Sequence, residues 1–284
     1  MDAKILLMRM KRNTFFKIGV VGIIFIFIAC YILPMFIEWD PISTAVTQRF
    51  KPPEGFANGF KGHVFGTDHL GRDVLIRLLI GGQYSFRLAF IVVVLQMSIG
   101  AVLGIVSGYM GGTIDTLIMR ACDAMLSIPG MVLAIAVMAI LGTSTRNLIL
   151  VMTISGWVQL CKVTRNEVRV VKQQEFVMAS KILGAKLPHI MFTQIFPNVT
   201  TNIIILSSQR MGMTIIMESS LSYLNLGIQA PAPSWGNMIS TGRQFLTTQP
   251  WLILVPGFAL MLTVLSFNFL GDGIRDILDR KRKI

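Results

Sequence analysis

The sequence predicts an all-α integral membrane protein with six transmembrane helices. Hydrophobic residues make up 53% of the 284 residues and charged residues only 14%, whereas soluble proteins average roughly 45 to 50% apolar and about 25% charged residues. The apolar residues also gather in long runs, several of them near the ~20 residues that a helix needs to cross a bilayer. The chain is therefore expected to lie in a membrane.

The first predicted span covers residues 18–37. Five basic residues precede it: Lys4, Arg9, Lys11, Arg12 and Lys17. Because Lys and Arg collect on the cytoplasmic side of membrane proteins, this flank predicts a cytoplasmic N-terminal segment, residues 1–17. A cleaved signal peptide with a lipoprotein-like site at Cys30 is the alternative, but the apolar run continues past Cys30 to residue 37.

A predicted extracytoplasmic loop region, residues 38–85, follows the first span and contains several prolines and glycines. Its imidazoles and carboxylates, which suit divalent metal ions, are His63, Asp68, His69 and Asp73. The two histidines are not spaced at a helical period, and Asp68 reads equally well as part of a turn before an N-capped helix that begins near His69. We expect no metal site here.

Five further spans are predicted at residues 86–110, 125–141, 148–161, 199–221 and 251–270. They form a five-helix core, residues 86–270. Gly100, Gly104 and Gly108 recur every four residues and predict a face for close helix packing, not a phosphate loop. Pro129 and Pro256 are expected to bend or start spans three and six.

The distribution of basic residues supports an orientation with both termini in the cytoplasm, because most of the 26 Lys and Arg residues then lie on the cytoplasmic side. The loop 162–197 and the tail 271–284 are cytoplasmic in this topology, with a basic cap at residues 280–283. The segment 222–250 faces outward. Since basic residues border the apolar runs, the net charge of +12 reflects topology and does not indicate nucleic-acid binding.

Arg210 is the least expected residue, because it lies near the middle of the fifth span. A charge at the bilayer centre costs ~2.5 to 3.5 kcal/mol even on a lenient scale, so Arg210 must face protein or water. Glu218 lies about 12 Å further along the helix, too far for an ion pair. A carboxylate on another subunit, a backbone carbonyl or a passing solute remain as partners. Arg210 and Glu218 are thus candidates for a transport pathway or a subunit interface.

Two classes of site are not predicted. The widely spaced cysteines Cys30, Cys122 and Cys161 suggest neither a disulfide framework nor a zinc site, and we expect them to fill buried space. No G-x-x-x-x-G-K-[ST] loop, H-E-x-x-H helix or G-x-S-x-G elbow occurs. The sequence therefore predicts no catalytic residue and no cofactor-binding residue in this chain.

A polar island, residues 175–189, separates two long apolar runs. Val177, Lys181 and Gly184 fall at i, i+4 and i+7, which predicts a short amphipathic helix that ends at a glycine with a positive φ. Pro188 predicts the start of a second short helix. Two helices joined at Gly184 would offer a surface to a soluble partner, and a plain cytoplasmic loop is the alternative.

This island resembles a known motif. Val-Met-Ala-Ser-Lys-Ile-Leu-Gly-Ala at 177–185 and Ile-Phe-Pro-Asn at 195–198 resemble the "EAA" loop with which permeases of ABC importers dock on their ATPase subunits. The chain is similar to the shorter permease subunit of the dipeptide, oligopeptide and nickel permease family. Further stretches that support this lie at residues 65–73, 219–223, 233–237 and 268–276.

The resemblance implies an ABC type I importer permease fold in the inner membrane, and transport by alternating access. It implies three kinds of protein partner: a second permease subunit in a heterodimer, two ABC ATPase subunits that bind ATP and Mg²⁺, and an extracytoplasmic solute-binding protein. The lipid bilayer surrounds the permease. Di- and oligopeptides, nickel and metal-chelator complexes stay open as solutes. ATPase coupling is assigned by the motif to Phe176, Val177, Ala179, Ser180, Lys181, Leu183, Gly184 and Ala185.

Three residues depart from the family pattern. Met178 stands in place of the glutamate that gives the loop its name, Asn225 stands where a glycine is usual, and Arg280 replaces a usual proline. A charge contact to the ATPase cannot be carried over to Met178. For the segment 222–250 the resemblance implies a gate or a seat for the binding protein, whereas Trp235 and Trp251 alone suggest interfacial anchoring.

Two other functions are alternatives. A secondary transporter would not need the cytoplasmic island and would be expected to carry paired titratable residues at mid-membrane. A membrane-embedded enzyme is the weaker alternative, since no catalytic motif is present.

Overall fold

A computed structural model describes residues 3–37, 40–56 and 59–278 of the chain. These residues are almost entirely helical and contain no strand, only one isolated bridge between Thr67 and Asp73. The α-helices of the described part are α1 (Ala3–Arg12), α2 (Thr14–Tyr31), α3 (Val74–Met110), α4 (Gly112–Leu126), α5 (Gly130–Leu141), α6 (Thr145–Lys172), α7 (Glu175–Ile182), α8 (Leu187–Ile190), α9 (Phe196–Tyr223), α10 (Trp235–Gly242) and α11 (Trp251–Leu278).

Five stretches of the described residues are long and apolar enough to cross a membrane: Thr14–Phe36, Val74–Met110, Thr145–Lys172, Leu187–Tyr223 and Trp251–Leu278. The pair α4 and α5 supplies a sixth if it is counted as one broken span. The protein is therefore an all-α, multi-pass membrane protein, as the sequence predicts. The predicted basic cap at residues 280–283, including Arg280, lies outside the described residues.

The third predicted span is broken, because α4 and α5 meet at an angle of 81°. Pro129 caps α5 with an extended ψ of 128°, and proline has no backbone N–H for the helical ladder. The predicted break at Pro129 is confirmed. Pro256, by contrast, lies inside α11 and does not start it.

The start of α3 corrects one prediction. The helix begins at Val74, where the Asp73 carboxylate accepts a hydrogen bond from the backbone N–H of Ile76 at 2.9 Å. The start predicted near His69 is wrong, because Asp68 is engaged elsewhere: its carboxylate accepts from the Nε of Arg72 at 2.7 Å. The long helices also run beyond the predicted spans, α3 toward its N-terminus and α6 and α11 toward their C-termini.

The predicted glycine face holds α3 against α6. A Cβ atom on Gly104 would lie 2.7 Å from the carbonyl oxygen of Cys161, and one on Gly108 would lie 2.7 Å from that of Arg165. Gly100 meets the preceding turn of α6 in the same way. Only glycine allows the two backbones to approach so closely, which is how small residues act in membrane helix packing.

The candidate metal ligands of the first loop have structural partners. The Nδ1 of His63 lies 2.9 Å from Asp73, and its Nε2 lies 2.8 Å from the side-chain oxygen of Gln48. His69 stacks on Phe245, and burial raises the pKa of Asp73. No group of three potential metal ligands occurs in the described ranges. The three cysteines are buried, as predicted, and each is a free thiol.

Candidate functional site

The predicted island folds into two short helices, α7 and α8, joined at Gly184; we term residues 175–190 the α7–α8 knob. Gly184 has a φ of +81°. Its N–H donates to the carbonyl of Lys181, and the N–H of Ala185 donates to the carbonyl of Ser180 at 3.0 Å. This pair of bonds is a Schellman motif, in which a left-handed residue closes the helix end. The predicted positive φ and the second helix containing Pro188 are both confirmed.

One side of the knob is anchored on the helix bundle. Val177 is buried and packs in a cluster with Val168 of α6 and Val199 of α9, beside the partly buried Ala185. The Ser180 hydroxyl donates to the carbonyl of Phe176 and accepts from the amide of Gln194. These predicted residues thus set the orientation of the knob.

The other side of the knob is exposed and apolar. Ile182 is 85% and Leu183 86% exposed, and the exposed side chains of Phe176, Leu187 and Phe192 lie in the same region of the chain. Ala179 and Lys181 are also exposed. Large apolar side chains at such exposure mark a surface that another protein or a membrane covers.

A cleft of about 510 Å³ separates the knob from the ends of α3 and α6. Its lining includes Met178 and three basic residues: Arg169, Lys172 and Lys181. The Nζ of Lys172 donates to the carbonyl of Tyr109 and lies over its ring. Met178 therefore borders a cationic cleft.

Arg210 and Glu218 are not brought together. Glu218 is fully buried, and its carboxylate accepts hydrogen bonds from the hydroxyls of Ser85 at 2.8 Å and Ser222 at 2.7 Å. Arg210 is partly buried and makes no hydrogen bond or ion pair with any other residue that the structure describes. The prediction that they do not form an ion pair is confirmed, and Glu218 serves instead to hold α9 against α3.

Comparison with known proteins supports a transport family. Residues 100–284 match the family model described as "Binding-protein-dependent transport system inner membrane component". The chain is 36% identical over 275 residues to an oligopeptide transport system permease protein, OppC, of Bacillus subtilis, covering 97% of this chain and 88% of that protein. It is 38% identical over 279 residues to a dipeptide permease, DppC, of Alkalihalophilus pseudofirmus, with the same coverage.

The chain therefore belongs to the binding-protein-dependent permease family. A probable D,D-dipeptide permease, DdpC, of Escherichia coli is 37% identical to this permease over 260 residues, 90% of this chain and 85% of that protein. A solved amino acid ABC transporter with histidines has a TM-score of 0.54 at 12% identity, covering 69% of this permease and 91% of that chain. That likeness supports the ABC permease fold.

Asn225, one of the departures from the family pattern, keeps the backbone conformation that a glycine would supply. Its φ is +62°, directly after α9. Asparagine tolerates the left-handed region better than most residues with a side chain. The permease thus retains the turn at this position without the glycine.

Trp235 is not the interfacial anchor that the sequence alone suggested. It is only 1% exposed, and its indole Nε1 donates to the carbonyl of Leu78 in α3 at 2.8 Å. Trp235 is therefore a core residue and not an interfacial anchor. Trp235 is the first residue of α10, whose start is closed by a capping box of Ser234 and Asn237.

The sequence did not lead us to predict a network of ion pairs and hydrogen bonds around Asp115. The carboxylate of Asp115 in α4 accepts from the Nε and Nη2 of Arg165 in α6 at 2.5 and 2.6 Å. Arg169 adds a bond at 3.2 Å and Ser107 of α3 another at 2.5 Å. Two arginines at i and i+4 near the end of α6 were the available signal. The network ties three helices together close to the knob.

Proposed function

We propose that this permease is the membrane subunit of an ATP-driven importer of di- or oligopeptides. The relatives reported above carry oligopeptide, dipeptide and D,D-dipeptide in their names, and each match covers nine tenths or more of this chain. Nickel and metal-chelator complexes appear in none of these three names, so peptides are the favoured solute. The binding protein selects the peptide, and the permease moves it.

The proposed assembly contains a second permease of related fold, two ABC ATPase subunits and a solute-binding protein. The ATPases bind ATP and Mg²⁺, in agreement with the lack of a phosphate-loop motif in this sequence. Both termini and the α7–α8 knob lie in the cytoplasm, and the segments 38–85 and 222–250 face outward. The bias of Lys and Arg toward the cytoplasmic segments supports this orientation.

The observation that carries the proposal is the exposed apolar tip of the knob, formed by Ile182 and Leu183 beside Gly184. In the assembly this tip sits in a groove of one ATPase subunit. Closure of the ATPases on ATP moves the knob, and the buried side at Val177 passes the movement to α6 and α9. The ATPases shift the permease between two states only because they bind those states with different affinity.

Co-purification tests the docking assignment. Leu183→Glu places a charge on the apolar tip and is expected to reduce recovery of the ATPase subunits with the tagged permease at least tenfold. The matched control is Leu246→Glu, which changes another exposed leucine in the outward segment and should leave recovery unchanged. Equal recovery with both variants would refute docking at the tip.

Thiol labelling in intact cells tests the orientation independently. Thr247→Cys should react with a membrane-impermeant maleimide, whereas Lys186→Cys should react only after the membrane is opened; both positions are exposed. The native cysteines give little background because all three are buried. Labelling at Lys186→Cys in sealed cells would reverse the proposed topology.

A further inference from the structure

The uncovered face of α9 differs from a surface that lipid covers. Around Arg210 it contains the polar residues Asn202 and Ser220 together with Met213, all at least partly exposed and at helical spacings from one another. By contrast, the exposed side chains of α2 from Ile18 onward are all apolar: Ile18, Val21, Ile24, Phe25, Phe27 and Ile28. Polar side chains in a membrane helix face protein or a water-filled cavity. The face of α9 therefore lies toward the transport pathway or toward another subunit.

Arg210 has no counterion among the residues that the structure describes, although acidic groups occur on the same and the adjacent helix. Glu218 is enclosed by the hydroxyls of Ser85 and Ser222. Asp272 of α11 accepts a hydrogen bond from the amide of Gln209 at 3.0 Å and makes none with Arg210. The guanidinium is consequently a charged, planar donor group whose partner must come from outside the described part of this chain.

We propose that Arg210 binds the C-terminal carboxylate of the peptide during its passage, an inference that rests on the proposed peptide import. A guanidinium matches a carboxylate with two parallel hydrogen bonds, and in a low-dielectric site such a pair is stronger than in water. Every peptide with a free C-terminus carries this group, whatever its side chains. Recognition through Arg210 would therefore suit a permease that accepts many peptides.

The neighbours of Arg210 agree with this assignment. Met213 lies one turn further along the same face and is exposed, whereas Met217, a turn beyond it, packs against the buried cluster that contains Leu221. Methionine is flexible and polarisable and packs against apolar groups of different shapes. Arg210 would then hold the invariant end of the peptide while Met213 contacts its variable side chains.

The test measures equilibrium binding of radiolabelled tri-alanine and of its C-terminal amide to the permease–ATPase complex in nanodiscs, without the binding protein. The wild-type complex should bind the free acid at least tenfold more tightly than the amide. Arg210→Met should abolish this preference by weakening only the free acid, and Arg210→Lys should retain part of it. Arg243→Met, the same change at an exposed arginine of the outward segment, should leave the preference intact.

Several outcomes overturn the proposal. One is a wild-type complex that binds neither peptide, or binds both equally; another is an Arg210→Met complex that still prefers the acid. Loss of subunit assembly in Arg210→Met, with restored assembly but no acid preference in Arg210→Lys, would instead assign Arg210 to a carboxylate of the second permease. Uptake of tri-alanine by the complete wild-type system is measured alongside, because its absence would refute peptide import itself.

Discussion

Glycine is needed for different physical reasons in the α3–α6 interface and in the α7–α8 knob. At Gly104 the backbone is helical but space is missing, since an added Cβ would lie 2.7 Å from the carbonyl oxygen of Cys161. At Gly184 space is free, with nothing within 4 Å of such a Cβ, but φ is +81°. The interface is completed within the chain. At Gly184 the knob faces open space, as expected of a surface that receives a partner.

The largest effect is expected from a change in the interface. Gly104→Ala forces a Cβ against the backbone of α6, and overpacking of this kind costs about 1 to 3 kcal/mol. The thermal transition of the purified permease should fall by several degrees, or folded protein should not be recovered. The matched control is Gly257→Ala inside α11, where no atom lies within 4 Å of the added Cβ. Equal melting temperatures for the two variants would contradict the conclusion that the close packing of α3 and α6 requires Gly104.

The next effect concerns conformation at the knob. Gly184→Val should lower the stability of the permease by no more than roughly 1 to 2 kcal/mol, the cost of the left-handed region for L-residues. It should nevertheless abolish peptide-stimulated ATPase activity, because a β-branched residue resists the positive φ that the turn requires. Gly184→Asn should retain most of the stimulation. Should the valine variant be stimulated normally, the turn at Gly184 would not be required for coupling.

A smaller effect is expected at Asn225, which shares the positive φ of Gly184 but lies beyond α9. Asn225→Gly restores the usual family residue and should change stability by less than about 0.5 kcal/mol. Asn225→Val should destabilise by roughly 1 to 2 kcal/mol for the same conformational reason as at Gly184. Chemical denaturation of the two variants compares them directly, and similar values would remove the conformational explanation.

The smallest effect is expected from Met178→Glu. Met178 is half exposed and borders the cleft that contains Arg169 and Lys181, so a glutamate there faces positive charge and solvent. The free energy of unfolding of the variant should stay within about 0.5 kcal/mol of that of the wild-type permease, and peptide-stimulated ATPase activity should be retained. A large loss of stimulation would show that the apolar side chain itself contacts the ATPase.

Local features were predicted well from the sequence, because they depend on neighbouring residues. The turn at Gly184 and the break at Pro129 are of this kind, and the glycine spacing of α3 gave its packing face. The start of α3 was a local misreading, because the carboxylate that caps the helix is Asp73, whereas Asp68 pairs with Arg72 four residues later. The burial of Trp235 depends on distant residues, since its N–H donates to Leu78 of α3. That contact has no signal in the sequence spacing.

The same distinction applies to the candidate sites. The knob residues were found from their period and motif, and the structure places them together on one projecting element. The Asp115 network joins α3 and α4 to the distant α6, so the spacing of Arg165 and Arg169 within α6 was its only local signal. For Arg210, the sequence predicted that a partner is needed, and only the structure indicates that the nearby acids are engaged by other groups.

If an ATPase subunit covers the exposed tip of the knob, as proposed, the tip should lose its solvent exposure in the complex. The rate of maleimide labelling of Leu183→Cys is measured on the purified permease with and without the ATPase subunits, with Thr247→Cys as the reference. We expect the ATPases to slow labelling at Leu183→Cys at least tenfold and to leave Thr247→Cys unchanged. Unchanged labelling at Leu183→Cys in an assembled complex would contradict docking at the tip.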